Sequence, residues 1–260
     1  KPTISARSED HTFHAFLHGK GGFSPYTNLP GFSSPSGLAL GDVNGDGAYD
    51  LAVPDYGNDV VNVALGNAKG GFGAIASFGV GKAPGPVGLG DWNGDGKVDL
   101  AVANSQDSTV SILLGDGQGG FGKATNFPTD NNSSGLAVGD WNGDSKLDLA
   151  VCNAAPSNVS ILLGDGTGSF GKTTSFPAGT GPYSVVAADL DGDKNLDLAF
   201  ANNGSSKVTA LLGDGKGGFG PGASVSVGST PYWVTSGDWN GDKKPDLATA
   251  NYSDNTVSVV

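Results

Sequence analysis

One interval governs this chain, and it is 49 residues long. At that spacing a stretch of the form Asp-x-(Asn/Asp)-x-Asp-x-x-x-Asp returns five times, opening at Asp42, Asp91, Asp140, Asp189 and Asp238. A second landmark keeps the same period: a Gly-rich hairpin closed by a phenylalanine, at Phe23, Phe72, Phe121, Phe170 and Phe219. Self-similarity at a fixed period means a series of like units, each burying its apolar face on a neighbour.

Each unit reads as four short strands. In the second repeat the runs are Pro86-Val87-Gly88-Leu89-Gly90, then Leu100 to Asn104, then Thr109 to Leu114, then Phe121 to Phe127. They are apolar or β-branched and bounded by Gly, Asn, Asp or Pro, with no helical periodicity. Four strands in 40–50 residues is the pattern of a β-propeller blade. The expected class is therefore all-β. Gly (45) and Pro (14) are numerous enough to suggest disorder, but they recur at fixed positions and so mark turns. The Gly-rich hairpin is not a phosphate loop, because strand-like sequence follows it where a helix would be needed.

The aspartate stretch has the chemistry of a calcium loop. Oxygen-bearing side chains fall at positions 1, 3, 5 and 9, and position 7 offers a backbone carbonyl. Ca²⁺ takes six to eight oxygens in flexible geometry, and an EF-hand begins with the same spacing. Here a strand follows instead of a helix, so the loop is not an EF-hand. The ligand sets are Asp42, Asn44, Asp46, Ala48 and Asp50; Asp91, Asn93, Asp95, Lys97 and Asp99; Asp140, Asn142, Asp144, Lys146 and Asp148; Asp189, Asp191, Asp193, Asn195 and Asp197; and Asp238, Asn240, Asp242, Lys244 and Asp246. About five ions are expected; the alternative is a set of solvated Asp-Gly turns. The formal charge of −12 follows from these loops, since their sixteen carboxylates leave 10 acids against 14 bases elsewhere. Without a basic cluster the chain is not expected to bind nucleic acid.

Cys152 is the only cysteine, stands in an apolar run and reads as a small core residue. No apolar run is long enough to span a membrane. Methionine is absent, at residue 1 as elsewhere, so the chain is expected to begin at a processed or trimmed end. Weak calcium sites also suit an extracellular, secreted protein.

The motif Asp-x-Asn-Gly-Asp-Gly-x-x-Asp-Leu-Ala-Val, with Phe-Gly after a Gly-rich hairpin, resembles the FG-GAP or VCBS-type repeat. That repeat builds integrin α-subunit propellers, many bacterial secreted proteins and a seven-bladed mushroom lectin. The resemblance covers nearly the whole chain. It implies that each ion loop joins the first and second strands of a blade. The loops between strands 2 and 3, and between blades, would then lie at the opposite end. Repeats run from about residue 36 in a single domain of 260 residues, after an atypical segment at 1–15. Five blades are expected, closed into a ring when Phe23 to Leu29 joins Val234–Gly237 and Leu247–Ala250 as an outer strand. A fragment of a seven-bladed ring is the alternative.

The end opposite the ion loops varies from repeat to repeat, as recognition surfaces do. Candidate ligand-binding residues there are Tyr56, Asn104, Tyr183, Asn202, Tyr232, Trp233 and Tyr252. Aromatic rings beside amides suit sugars, so a glycan or glycosylated protein is the expected partner; core packing is the competing role. Trp92, Trp141 and Trp239 at loop position 2 read as packing between blades. His11, His14 and His18 fall close together, but in an extended strand His11 would face away from the other two. Asn131, Asn132, Asn158, Asn203 and Asn251 each open an Asn-x-Ser sequon. No nucleophile elbow or Cys/His pair is present, and Glu9 is the only glutamate, so an enzyme is not expected. A lectin-like module, a protein adhesion module and a carbohydrate-active enzyme stay open as readings.

Overall fold

The runs Asp-Leu-Ala-Val-x-Asn and their variants are apolar on both sides of the strand, which suits a strand covered on both faces. In the computed structural model, which describes residues 28–67 and 69–260, these runs are the second strands of successive antiparallel sheets. The first sheet is β1 (Ala39–Gly41), β2 (Asp50–Asp55), β3 (Val60–Gly66) and β4 (Phe72–Gly79). The second is β5 (Pro84–Gly90), β6 (Asp99–Asn104), β7 (Thr109–Leu113) and β8 (Thr125–Pro128). The third is β9 (Ser133–Gly139), β10 (Asp148–Asn153), β11 (Asn158–Leu162) and β12 (Thr174–Pro177). The fourth is β13 (Pro182–Ala188), β14 (Asp197–Asn202), β15 (Lys207–Gly213) and β16 (Phe219–Ser226). The fifth holds β17 (Pro231–Gly237), β18 (Asp246–Asn251) and β19 (Thr256–Val259). Strands pair in chain order throughout, and no helix occurs among the described residues. The chain is an all-β, five-sheet β-propeller protein.

It divides into two compact units, one reaching Asp91 and resuming over Asp95–Asn126, the other comprising Trp92–Gly94 and Phe127–Val260. In the first, Val43, Ala52, Val61 and Val63 pack with Leu100, Val102 and Leu113. In the second, Ala150, Cys152 and Ile161 pack with Leu198, Phe200 and Leu211. Cys152 is a fully buried core residue, and burial pushes its thiol pKa well up.

The antiparallel order puts each ion loop and each Gly-rich hairpin at one end of its sheet, and the turns between second and third strands at the other. Two sequence expectations need correcting. The run Phe121–Phe127 is not a continuous strand: Phe121 forms an isolated bridge with Gly115, and β8 begins only at Thr125. Phe170 and β12 repeat this, whereas β4 and β16 start at the phenylalanine itself. A register shift, seen at Ala64/Gly66 and Thr209/Leu211, marks the same place in the longer strands. Trp239 is the second correction. Val43, Trp92 and Trp141 are buried as expected and Leu190 is half-buried, but Trp239 is 53% exposed. Trp141 meets Phe219 and packs in a cluster with Phe176; no such cluster covers Trp239 among the described residues.

The expected closing strand falls mostly on residues outside those described, as do Arg7, Glu9, the three histidines and Phe23. Of that segment, Leu29 packs on Leu51, Val53 and Ala64 of the first sheet. The fifth sheet has three strands among the described residues.

One repeated glycine is fixed by a close approach. A Cβ on Gly66, Gly115, Gly164 or Gly213 would run into the backbone carbonyl of Tyr49, Val98, Leu147 or Leu196 respectively. Gly164→Ala is therefore expected to destabilise the fold by about 2 kcal/mol. Gly220→Ala, where an added Cβ meets nothing within 4 Å, should stay within about 0.5 kcal/mol of the parent. Denaturant melts of the two variants check the contrast.

Candidate metal loops and an aromatic surface

The loop begins as a first strand ends. Its first aspartate turns the chain by accepting backbone N–H groups: Asp42 takes Gly45 (2.7 Å) and Asp46 (3.1 Å) on Oδ1 and Gly47 (2.8 Å) on Oδ2. Asp140 does the same with Gly143, Asp144 and Ser145. Position 3 then accepts from position 5, as Asn44 does from Asp46 at 3.0 Å. Position 5 accepts from position 7, as Asp46 does from Ala48 at 2.7 Å. Lys97, Lys146, Asn195 and Lys244 donate in the same way to Asp95, Asp144, Asp193 and Asp242. These short-range bonds place the carboxylates around one curve of backbone.

Position 9 does something the sequence reading did not assign to it. Asp50 is 1% exposed, and its two oxygens accept N–H groups from different segments. Oδ2 takes Val43 of the ion loop at 2.8 Å; Oδ1 takes Gly66, at the end of β3, at 2.7 Å. Asp148 repeats the brace with Trp141 and Gly164, and Asp197 with Leu190 and Gly213. Asp99 accepts from Gly115, and Asp246 from Trp239. The signal was present in the sequence as a constant offset of 16 residues from this aspartate to a glycine.

The donor set fits a hard divalent cation. Every side-chain ligand is an oxygen, and in the fourth loop Asp189, Asp191 and Asp197 offer oxygens all within 4.8 Å of one another. Each brace oxygen spends one lone pair on an N–H and keeps another. Burial raises the pKa of Asp50, Asp148 and Asp197, against the two N–H bonds each receives; the neighbouring loop carboxylates raise it further. The position-7 side chains partly screen the loops: Lys97 and Lys146 lie 3.3 and 3.7 Å from the carboxylates of Asp95 and Asp144.

At the opposite end of the sheets, register shifts interrupt the first strands of the second to fifth sheets and re-aim residues there, as bulges commonly do near sites. The register of β13 on β14 shifts between Pro182 and Ser184, and that of β17 on β18 between Pro231 and Trp233. The bulged residues are Tyr183 and Tyr232. Their rings lie 4.1 Å apart, and the Tyr232 hydroxyl donates to that of Tyr183 at 2.6 Å. Tyr252, 62% exposed, lies 5.9 Å from Tyr232. Trp233, 46% exposed, lines an open groove with Tyr232, Ala250, Tyr252, Asn255 and Val257.

The structure thus brings together four of the seven candidate ligand residues. Asn104 and Asn202 do not reach this surface. Both are fully buried, with Nδ2 of Asn104 donating to Thr109 and Ser111, and that of Asn202 to Thr209. They tie second strands to third strands. Tyr56 is exposed in the first unit, where Gln106 Nε2 donates to its hydroxyl at 3.4 Å. Among the sequons, the Asn158 and Asn251 amides donate to Asp130 and to Thr256 and Ser258, which leaves neither projecting.

The FG-GAP-like repeat matches at residues 42–102, 91–151, 140–200 and 189–249, together well over half of the chain. No match was found among the curated proteins. Among solved structures, the chain is similar to an Agrocybe aegerita lectin that recognises non-reducing terminal N-acetylglucosamine. The identity is 20%, the coverage 91% of this chain and 68% of that one, and the TM-score 0.61. It is similar to BBS1N in complex with ARL6DN at 14% identity, with 98% and 73% coverage and a TM-score of 0.64. It is also similar to a Staphylococcus aureus virginiamycin B lyase at 15% identity, with 88% and 67% coverage and a TM-score of 0.59. At these identities the likeness is one of fold.

Two outcomes follow from the loops. If a loop binds calcium with a Kd of roughly 0.1 mM, roughly 2 mM free ion stabilises it by about 1.8 kcal/mol. Five such loops would contribute about 9 kcal/mol, so EDTA should lower the melting midpoint by on the order of 20 °C, and Mg²⁺ should restore little. The second outcome concerns pH. The raised carboxyls keep their protons to higher pH when folded than the unfolded chain's value of 3.8. Without a cation, stability therefore falls as pH climbs through that window. Melts in EDTA should improve as neutral solution is acidified toward the carboxylate range. Melts in Ca²⁺ should worsen, because protons then compete with the ion.

Proposed function

The chain belongs to the FG-GAP-like repeat family, and we propose that it works as a secreted, calcium-stabilised recognition module that binds glycans. Calcium would be held by the aspartate, asparagine and backbone oxygens of the loops, where it would neutralise the crowded carboxylates and stiffen each sheet at that end. The ligand would be held at the other end, on the surface of Tyr183, Tyr232, Trp233 and Tyr252.

Trp233 carries this reading. The same position in the other sheets holds Gly37, Pro86, Gly135 and Ser184. A Cβ on Gly37 would lie 2.7 Å from the Gly85 carbonyl oxygen, and one on Gly135 would lie 2.9 Å from that of Tyr183. The Ser184 hydroxyl accepts the N–H of Val234 at 3.3 Å. Neighbouring backbone crowds this position in those sheets; in the fifth, an indole stands there half exposed. An exposed indole flanked by tyrosines presents a flat apolar face edged by hydroxyls, complementary to the CH face and hydroxyl rim of a sugar. Among the described residues none that lines the groove is charged, which favours a neutral saccharide. The N-acetylglucosamine-binding lectin of similar fold supports the same class of ligand.

The test is a glycan array followed by titration calorimetry on the best neutral saccharide. Trp233→Ala should weaken binding by about tenfold or more, about 1.4 kcal/mol. Its melting midpoint should hardly change, since the side chain is half exposed. Absence of binding to any glycan by the folded protein would refute the reading. Retention of a protein ligand in that case would identify an adhesion module.

A further inference from the structure

Asn-Gly is the dipeptide most prone to losing its amide, and this chain has five: Asn44-Gly45, Asn93-Gly94, Asn142-Gly143, Asn203-Gly204 and Asn240-Gly241. In the reaction the glycine nitrogen gives up its proton and attacks the asparagine Cγ. A C–N bond closes a succinimide and ammonia leaves. Water then opens the ring to aspartate or isoaspartate. The glycine nitrogen must be free to ionise, and the side chain must be free to swing onto it.

Three of the pairs are denied both freedoms. The N–H groups of Gly45, Gly143 and Gly241 each donate at 2.7 Å to the first carboxylate of their loop, Asp42, Asp140 or Asp238. A carboxylate against that nitrogen opposes its ionisation and draws its lone-pair direction away from the asparagine. The asparagine is pinned as well: Oδ1 of Asn44, Asn142 and Asn240 accepts the N–H of Asp46, Asp144 and Asp242 at 3.0, 3.0 and 2.8 Å. Asn203-Gly204 instead lies in the turn between β14 and β15, with Gly204 exposed.

We propose that Asn44, Asn142 and Asn240 are latent deamidation sites that the folded loop protects and that react when it opens, whereas Asn203 reacts in the native protein. The fourth repeat shows what the aspartate product would do. Asp191 stands at the same position, accepts the N–H of Asp193 at 3.1 Å, and leaves the Gly192-to-Asp189 bond intact at 2.7 Å. Aspartate is therefore tolerated and adds a carboxylate to the loop. Isoaspartate lengthens the backbone by one methylene and breaks the turn. A loop that opens and ages would thus be changed chemically, in one direction, at loop position 3.

Peptide mapping by mass spectrometry tests this on the full chain held at mildly alkaline pH, folded and in urea. Asn203 should convert in the folded protein. Asn44, Asn142 and Asn240 should convert at least about tenfold more slowly folded than unfolded. Asp140→Ala should speed conversion of Asn142 while leaving Asn44 and Asn240 slow. Equal rates for Asn142 in folded and unfolded chain, or no change in Asn142 on Asp140→Ala, would overturn the proposal.

Discussion

The first, third and fourth sheets each depend on a buried aspartate that accepts one N–H from the aspartate loop before it and one from the hairpin two strands later. Asp50, Asp148 and Asp197 show the whole brace. A buried carboxylate is costly unless its charge is satisfied, and charge-assisted bonds to backbone N–H groups offset part of that cost. The remainder shows in the raised pKa values of the same three residues. A cation at the loop would oppose that shift. Ion loop, first-to-third strand spacing and Gly-rich hairpin are therefore one assembly. The glycine of the brace cannot carry a side chain, because the residue before the aspartate presses its carbonyl against it.

Much of this was legible in the sequence because it is periodic. The 49-residue interval, the four runs per repeat and the aspartate loops could be read directly. The bracing role of the position-9 aspartate could not be read from ligand spacing alone, since a carboxylate at that distance suits an ion equally well. Asn104 and Asn202 misled because Asn is common on turns; their burial comes from hydroxyls on the third strand, a cross-strand partnership that linear spacing hides. Trp239 misled for the opposite reason. Its repeat position forecasts burial, but burial needs a neighbouring hairpin as well as an apolar side chain, and Trp141 has one in the segment around Phe219.

Departures from the repeat gather on the aromatic surface that is proposed to bind ligand. The bulged first-strand position is Ser134 in the third sheet, whose hydroxyl donates to the Pro182 carbonyl at 2.7 Å, and tyrosine in the fourth and fifth. The same backbone device serves as a strut in one sheet and as a display position in the others. Trp233 goes further, placing a large ring where other sheets hold glycine, proline or serine. A fold built on like units can mount an asymmetric surface by changing two or three side chains at one bulge, because the aspartate loop at the far end keeps its pattern.

Equilibrium dialysis of the purified chain against several millimolar calcium, with the metal counted on both sides of the membrane, measures the central claim most directly. The account predicts five bound calcium ions per chain, one for each loop, and one fewer when Asp189 and Asp191 are both replaced by alanine. A folded chain that binds no calcium, or the same number after that replacement, would contradict it.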